Sequence, residues 1–133
     1  MARTVLITGA AGSLGHQLMQ RLEADDVTVI ATDIRPPPTP ARGIALELDI
    51  RSNTLPDLLR EHRVDVVVHL AAILSPPKGM DPDAVREIEV EGTRNVVDSC
   101  VAAGVGRFVY TSSGAAYGYS PDNAALLFED APL

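Results

Sequence analysis

An apolar run that ends in spaced glycines and opens straight into a helical repeat constrains this chain more than any other feature. Val5, Leu6 and Ile7 read as a short strand buried on both faces. Glycines follow at positions 9, 12 and 15, and Leu14, Leu18 and Leu22 recur at helical spacing with Met19 beside them. Strand, glycine turn, helix is the setting in which such a pattern marks a phosphate site rather than an ordinary loop. Gly9 permits a sharp turn. Gly12 removes the side chain that would hold a pyrophosphate off the main chain, and Gly15 lets the helix lie close on the strand. Ala11, Ser13 and Leu14 complete the turn, with free N–H groups and the positive end of the helix dipole favouring an anion there. A P-loop does not fit, because no Lys-Ser or Lys-Thr pair follows to reach a γ-phosphate.

The rest of the chain alternates strand and helix. Arg3 to Thr8 is the first expected strand and Ser13 to Ala24 the first helix. Val27 to Thr32 is rich in β-branched residues and reads as a second strand. It ends at Asp33, 18 residues beyond Gly15. A carboxylate at this place can accept hydrogen bonds from both ribose hydroxyls of an adenosine. It would repel a 2′-phosphate, so NAD is favoured over NADP. Arg35, two positions on past Ile34, works against that preference, since it could pair with the phosphate. Four prolines in Ile34 to Pro40 mark a surface loop.

Ile44 to Ile50 is expected as a third strand running into Asp49-Ile50. Leu55, Leu58 and Leu59 give a short helix capped by Asn53 or Thr54. Val64 to Ala72 is a near-continuous apolar run suited to a central parallel strand. Asp81-Pro82 opens a long helix with Ile88, Gly92, Val96 and Cys100 on one stripe, ending at Gly104. Phe108 to Thr111 is the fifth strand, leading to Ser112-Ser113-Gly114. Ala115 to Leu133 reads as loop. Such alternation builds a Rossmann-type doubly wound parallel α/β sheet of about five strands, with its ligand at the carboxyl edge. The glycines, Asp33, Asp49, Leu70-Ala71-Ala72 and Ser112-Ser113 all fall on that edge.

Composition narrows the partners. A chain of 133 residues suits one domain, and no apolar run approaches the ~20 residues that span a bilayer. A net charge of −7 argues against non-specific nucleic-acid binding. Cys100 is the single cysteine, so no intramolecular disulfide is possible and a reducing cytoplasm is expected. His69 reads as a hydrogen-bonded core residue and His16 and His62 as surface positions. No histidine pair has metal spacing, so no metal site is expected.

Several of these segments together resemble one family. Thr8-Gly9-Ala10-Ala11-Gly12-Ser13-Leu14-Gly15, Asp33, Asp49-Ile50, His69-Leu70-Ala71-Ala72, Gly92-Thr93-Arg94-Asn95 and Tyr110 through Gly118 look like the N-terminal part of an extended short-chain dehydrogenase/reductase of the NAD-dependent epimerase/dehydratase family. The resemblance implies that Asp49 and Ile50 flank an adenine and that Leu70, Ala71 and Ala72 line the dinucleotide. Thr111 and Ser112 are then further cofactor contacts, and Ser113 hydrogen-bonds the substrate oxygen at the reacting carbon. It implies hydride transfer between a nicotinamide and a sugar-like or nucleotide-linked substrate, with a tyrosine as base and a lysine four residues on. The chain departs from this pattern twice. The residues four beyond Tyr110, Tyr117 and Tyr119 are Gly114, Pro121 and Asn123, so the dyad is absent, and Tyr117 reads as a pocket wall. Glu89 stands where the family often has Asn. The expected identity of residues 1–133 is therefore the NAD(P)-binding portion of such an enzyme, incomplete on its C-terminal side and lacking the substrate domain. The alternatives are a non-catalytic NAD(P)-binding module and a structural or assembly role. An incomplete sheet should also leave the fifth strand exposed and promote homo-oligomers.

Overall fold

Period-two burial along three β-branched strands decides how the layers assemble. A computed structural model of the chain describes residues 3–133. Strands β1 (Thr4–Thr8), β2 (Thr28–Asp33), β3 (Gly43–Glu47), β4 (Val66–His69) and β5 (Arg107–Tyr110) form one sheet in the order β3-β2-β1-β4-β5, and every pair is parallel. Val5 and Ile7 of β1 and Val29 and Ala31 of β2 turn to one face, where Met19 of helix α1 (Ser13–Glu23) covers them. Leu6, Ile30 and Val67 turn to the other face and pack with Leu55 and Leu59 of α2 (Leu55–Glu61) and with Val96 and Cys100 of α4 (Thr93–Ala103). Helices on both faces make the sheet doubly wound, as expected from the alternation.

Sheet order places the crevice. The chain steps outward from β1 to β3 on one side, then crosses to β4 on the other side of β1. The connections after β1 and β4 therefore diverge, and a cleft opens between them at the carboxyl ends of the strands.

Several expected boundaries move, each for a local reason. β4 stops at His69 instead of Ala72: the Leu70 N–H is shared between the Thr8 carbonyl and the Thr8 hydroxyl, and the Ala71 N–H turns to that hydroxyl, all at 3.2 Å. β3 stops at Glu47 instead of Ile50, since Asp49 curls back to accept from the Arg51 N–H at 2.8 Å. Thr54, one of the two expected residues, is the N-cap of α2, but its side chain makes no capping bond. Ser52 Oγ accepts the Thr54 N–H at 3.2 Å. The long helix is broken in character: α3 (Pro82–Arg86), a π-helical turn (Glu87–Gly92) and α4 run on without interruption. Asp81 caps α3 through the Asp83 N–H, and Gly104, at φ 73°, ends α4. A short 3₁₀ turn (Gly114–Tyr117) interrupts the expected C-terminal loop. Among the described residues no helix is long and apolar enough to cross a membrane.

Candidate functional site

The glycine turn is built by main-chain contacts too close for side chains. Gly9 has φ +72°, and a Cβ on it would lie 2.7 Å from the Ala71 nitrogen. A Cβ on Gly15 would lie 2.4 Å from the Gly9 carbonyl oxygen and 2.6 Å from Ala10 Cα. Gly15 thus packs the helix against the turn that follows β1, not against the strand itself. Gly12 differs. A Cβ there would have one near neighbour, the Gly9 oxygen at 3.2 Å, and otherwise would project into open space. The missing side chain leaves room beside the helix start.

That helix start is unsatisfied. Gly12 is the N-cap and offers no side chain, and the first turn holds no acidic residue. The Gly12 N–H donates to the Gly9 oxygen, and the first bond into the helix is from the His16 N–H to the Gly12 oxygen. Among the described residues no acceptor takes the N–H groups of Ser13, Leu14 or Gly15. Ser13 Oγ accepts from Gln17 Nε2 at 3.1 Å, which leaves its own proton free to donate. Three free amides, a helix dipole and a hydroxyl around an open volume fit a diphosphate.

Asp33 stands beside them. It is 9% exposed; Oδ2 accepts the Ala11 N–H and Oδ1 the Arg35 N–H, each at 3.0 Å. Those bonds aim the carboxylate and still leave lone pairs for two hydroxyls. The Arg35 guanidinium faces the same carboxylate, with Nε 3.8 Å from Oδ1. Across the cleft Arg51 grips Asp49, with Nη2 2.7 Å from Oδ2. The Arg51 hydrogen bond holds the Asp49 carboxyl below its ordinary range, and the same bond raises the arginine.

A buried polar chain supports the floor. Thr8 Oγ1 accepts two N–H bonds and lies 2.7 Å from His69 Nδ1, so its hydroxyl proton points to that nitrogen. This pattern assigns the proton of the ring to Nε2, which donates to Thr93 Oγ1 at 3.0 Å. Burial pushes the His69 pKa down, and the ring stacks beside Phe108 and Tyr110, with centroids 6.1 and 5.7 Å away.

These elements enclose a crevice of about 630 Å³ at the carboxyl edge. Gly9, Gly12, Ser13, Leu14, Gly15, Asp33, Ile34, Arg35, Asp49, Ile50, Leu70, Ala71, Ala72, Thr111, Ser112 and Ser113 all line it. Ala11 does not, because its N–H is turned inward to Asp33. Tyr117 does not line it either; the 3₁₀ turn brings Ala116 to the cleft instead. Ser113 caps that turn through the Ala115 N–H at 3.2 Å. Arg51, Ile73, Leu74, Ile88, Glu89 and Tyr110 join the lining without having been singled out as ligand contacts. Leu14, Ile34 and Leu74 are exposed apolar side chains at the cleft, the kind of surface a ligand covers.

A sequence model of the NAD dependent epimerase/dehydratase family matches residues 5–132. The chain belongs to that family. It is 31% identical over 134 residues to a UDP-glucose 4-epimerase of Azospirillum brasilense, covering 96% of this chain and 38% of that enzyme. Among solved structures it resembles MoeE5 in complex with UDP-glucuronic acid and NAD, with a TM-score of 0.78, 34% identity, and 88% of this chain and 39% of that one covered. A short-chain dehydrogenase/reductase superfamily protein from Agrobacterium tumefaciens with bound NAD superposes with a TM-score of 0.82 and 33% identity, covering 98% of this chain and 39% of the other. The chain spans about two fifths of the length of these relatives.

Proposed function

We propose that these residues form the dinucleotide-binding portion of an NAD-dependent epimerase, dehydratase or dehydrogenase acting on a sugar or nucleotide-linked sugar. The observation that carries this reading is the open helix start: three N–H groups without acceptors beside a glycine whose Cβ would fill the space. In this assignment the amides of Ser13 to Gly15 hold the pyrophosphate, and Asp33 takes the adenosine ribose. Ala11 acts through its bond to Asp33. Ile34 and Arg35 border the ribose, Asp49 and Ile50 flank the adenine, and Leu70 to Ala72 line the dinucleotide. Thr111 and Ser112 lie toward the nicotinamide, and Ser113 meets the substrate hydroxyl. Arg35 leans on Asp33, so the pair carries little spare positive charge for a 2′-phosphate, which supports NAD over NADP.

A bound nicotinamide supplies hydride acceptance, and the protein supplies orientation. A second reading is a module that binds the dinucleotide without chemistry. Calorimetric titration with NAD tests what both share: saturable one-to-one binding supports the site, and no heat overturns it. Nicotinamide reduction on adding candidate sugars separates them. The single buried Cys100 supports a reducing, cytoplasmic setting. β5 pairs only with β4 among the described residues, and Val109 and Tyr110 on it are exposed. Self-association through this edge should appear as a concentration-dependent sedimentation coefficient; a constant monomer value contradicts it.

A further inference from the structure

Three carboxylates line the crevice, and they differ in their company. Asp33 faces Arg35 and Asp49 is gripped by Arg51. Glu89, among the described residues, has no cation within salt-bridge distance. Its two glutamate neighbours in the π-helical turn are both answered, Glu87 by Arg51 at 3.4 Å and Glu91 by Arg94 at 2.8 Å. One oxygen of Glu89, Oε1, accepts the Ile73 N–H. Oε2 has no donor among the described residues. The side chain is half-buried and held in place at the lining of the cleft.

Its position along the cleft follows from the sheet order. Asp33 ends β2, the open helix start follows β1, and Ile73 follows β4. A dinucleotide with its ribose on Asp33 and its pyrophosphate on the helix start lays its second nucleoside toward the β4 and β5 ends, where Glu89 holds Ile73. We propose that Glu89 sets the preference of this site for the oxidised, positively charged nicotinamide over the reduced, neutral one. The inference rests on the dinucleotide reading above. NAD⁺ and NADH share adenosine, pyrophosphate and both riboses, so contacts with those parts cancel in the ratio of their affinities. The pyridinium charge does not cancel. An unpaired carboxylate near it, in the intermediate dielectric of a half-open cleft, shifts that ratio by about tenfold. Tighter binding of the oxidised form by that factor lowers the two-electron potential of the bound couple by about 30 mV.

The test is titration of the 133-residue chain and its Glu89→Gln variant with NAD⁺ and with NADH. Glutamine keeps an oxygen for the Ile73 N–H and removes only the charge. The expected result is a Kd for NAD⁺ about tenfold weaker in the variant, with the Kd for NADH within twofold of the parent. Glu89→Asn is a second neutral variant, and Glu89→Asp should retain the preference. Equal changes for both forms, or none, would overturn the inference and leave Glu89 as an anchor for the Ile73 loop. A parent chain that binds neither form would overturn the dinucleotide reading beneath it.

Discussion

Two glycines in one turn should respond in opposite ways to the same methyl group. In Gly15→Ala the new carbon would start 2.4 Å from the Gly9 oxygen, 2.6 Å from Ala10 Cα and 3.0 Å from Ala10 C. Every one of these atoms is backbone, so no side chain can rotate away. Relief requires the turn and α1 to part by about 1 Å, against a buried Met19 and a turn fixed by the Ala10 N–H to Thr32 carbonyl bond. Three backbone contacts this short place the overpacking at the upper end of its usual range, about 2–3 kcal/mol. The helical gain of alanine over glycine, at most about 1 kcal/mol, offsets part of it. At roughly 3–5 °C per kcal/mol for a chain of this size, Tm should fall by about 3–10 °C. Gly12→Ala meets only the Gly9 oxygen at 3.2 Å, at a φ of −80° and ψ of 169° that alanine adopts freely. Its Tm should stay within about 2 °C. Affinity for NAD should behave inversely to stability, because the Gly12 methyl enters the space beside the free amides; Gly12→Val, larger still, should abolish binding. Thermal melts and titrations of the three variants provide the readout. An unchanged Tm for Gly15→Ala, or a Gly12→Val protein that is folded and still binds NAD as the parent does, would refute the reasoning.

Stability should fall with pH through His69. The unfolded ring takes a proton near pH 6.5, whereas burial lowers its pKa in the native state. Between those two values the unfolded chain binds more protons, so stability declines as pH drops below about 6.5, by up to about 1.4 kcal/mol per unit. Urea melts at pH 7.5, 6.5 and 5.5 should show this slope in the parent and a flatter one in His69→Gln; equal slopes would contradict it. Cys100 should resist thiol reagents at pH 8, since burial pushes its thiol up to about 11. Labelling should track unfolding by denaturant, and rapid labelling of the folded chain would count against the packing.

What the sequence disclosed was whatever depends on local spacing. The glycine triplet, the β-branched runs and the position of Asp33 gave the strand–helix alternation and the crevice edge, because each is a short-range pattern with one low-energy solution. What it concealed depends on partners far along the chain. β4 is shortened by the Thr8 hydroxyl, 63 positions from Ala71. The Ala11 amide is claimed by Asp33, 22 positions away. Gly92 looks like a helical weakness in sequence, yet a Cβ there would sit 2.6 Å from Ile50 Cδ1, so its absence admits a loop from the other side of the cleft. The π-helical turn has no signal in the apolar stripe, which continues at Gly92, Val96 and Cys100 while Ile88 is only half-buried. Glu89 was visible as a departure from the family, but its freedom from a cationic partner appears only in three dimensions.

The central claim is that the amides at the start of α1 hold a diphosphate. Amide chemical shifts of the isotopically labelled chain, followed through a titration with NAD, test it most directly. Saturable changes largest at Ser13, Leu14 and Gly15, with smaller ones near Asp33, are the expected result. A titration that leaves those three resonances in place would contradict the account.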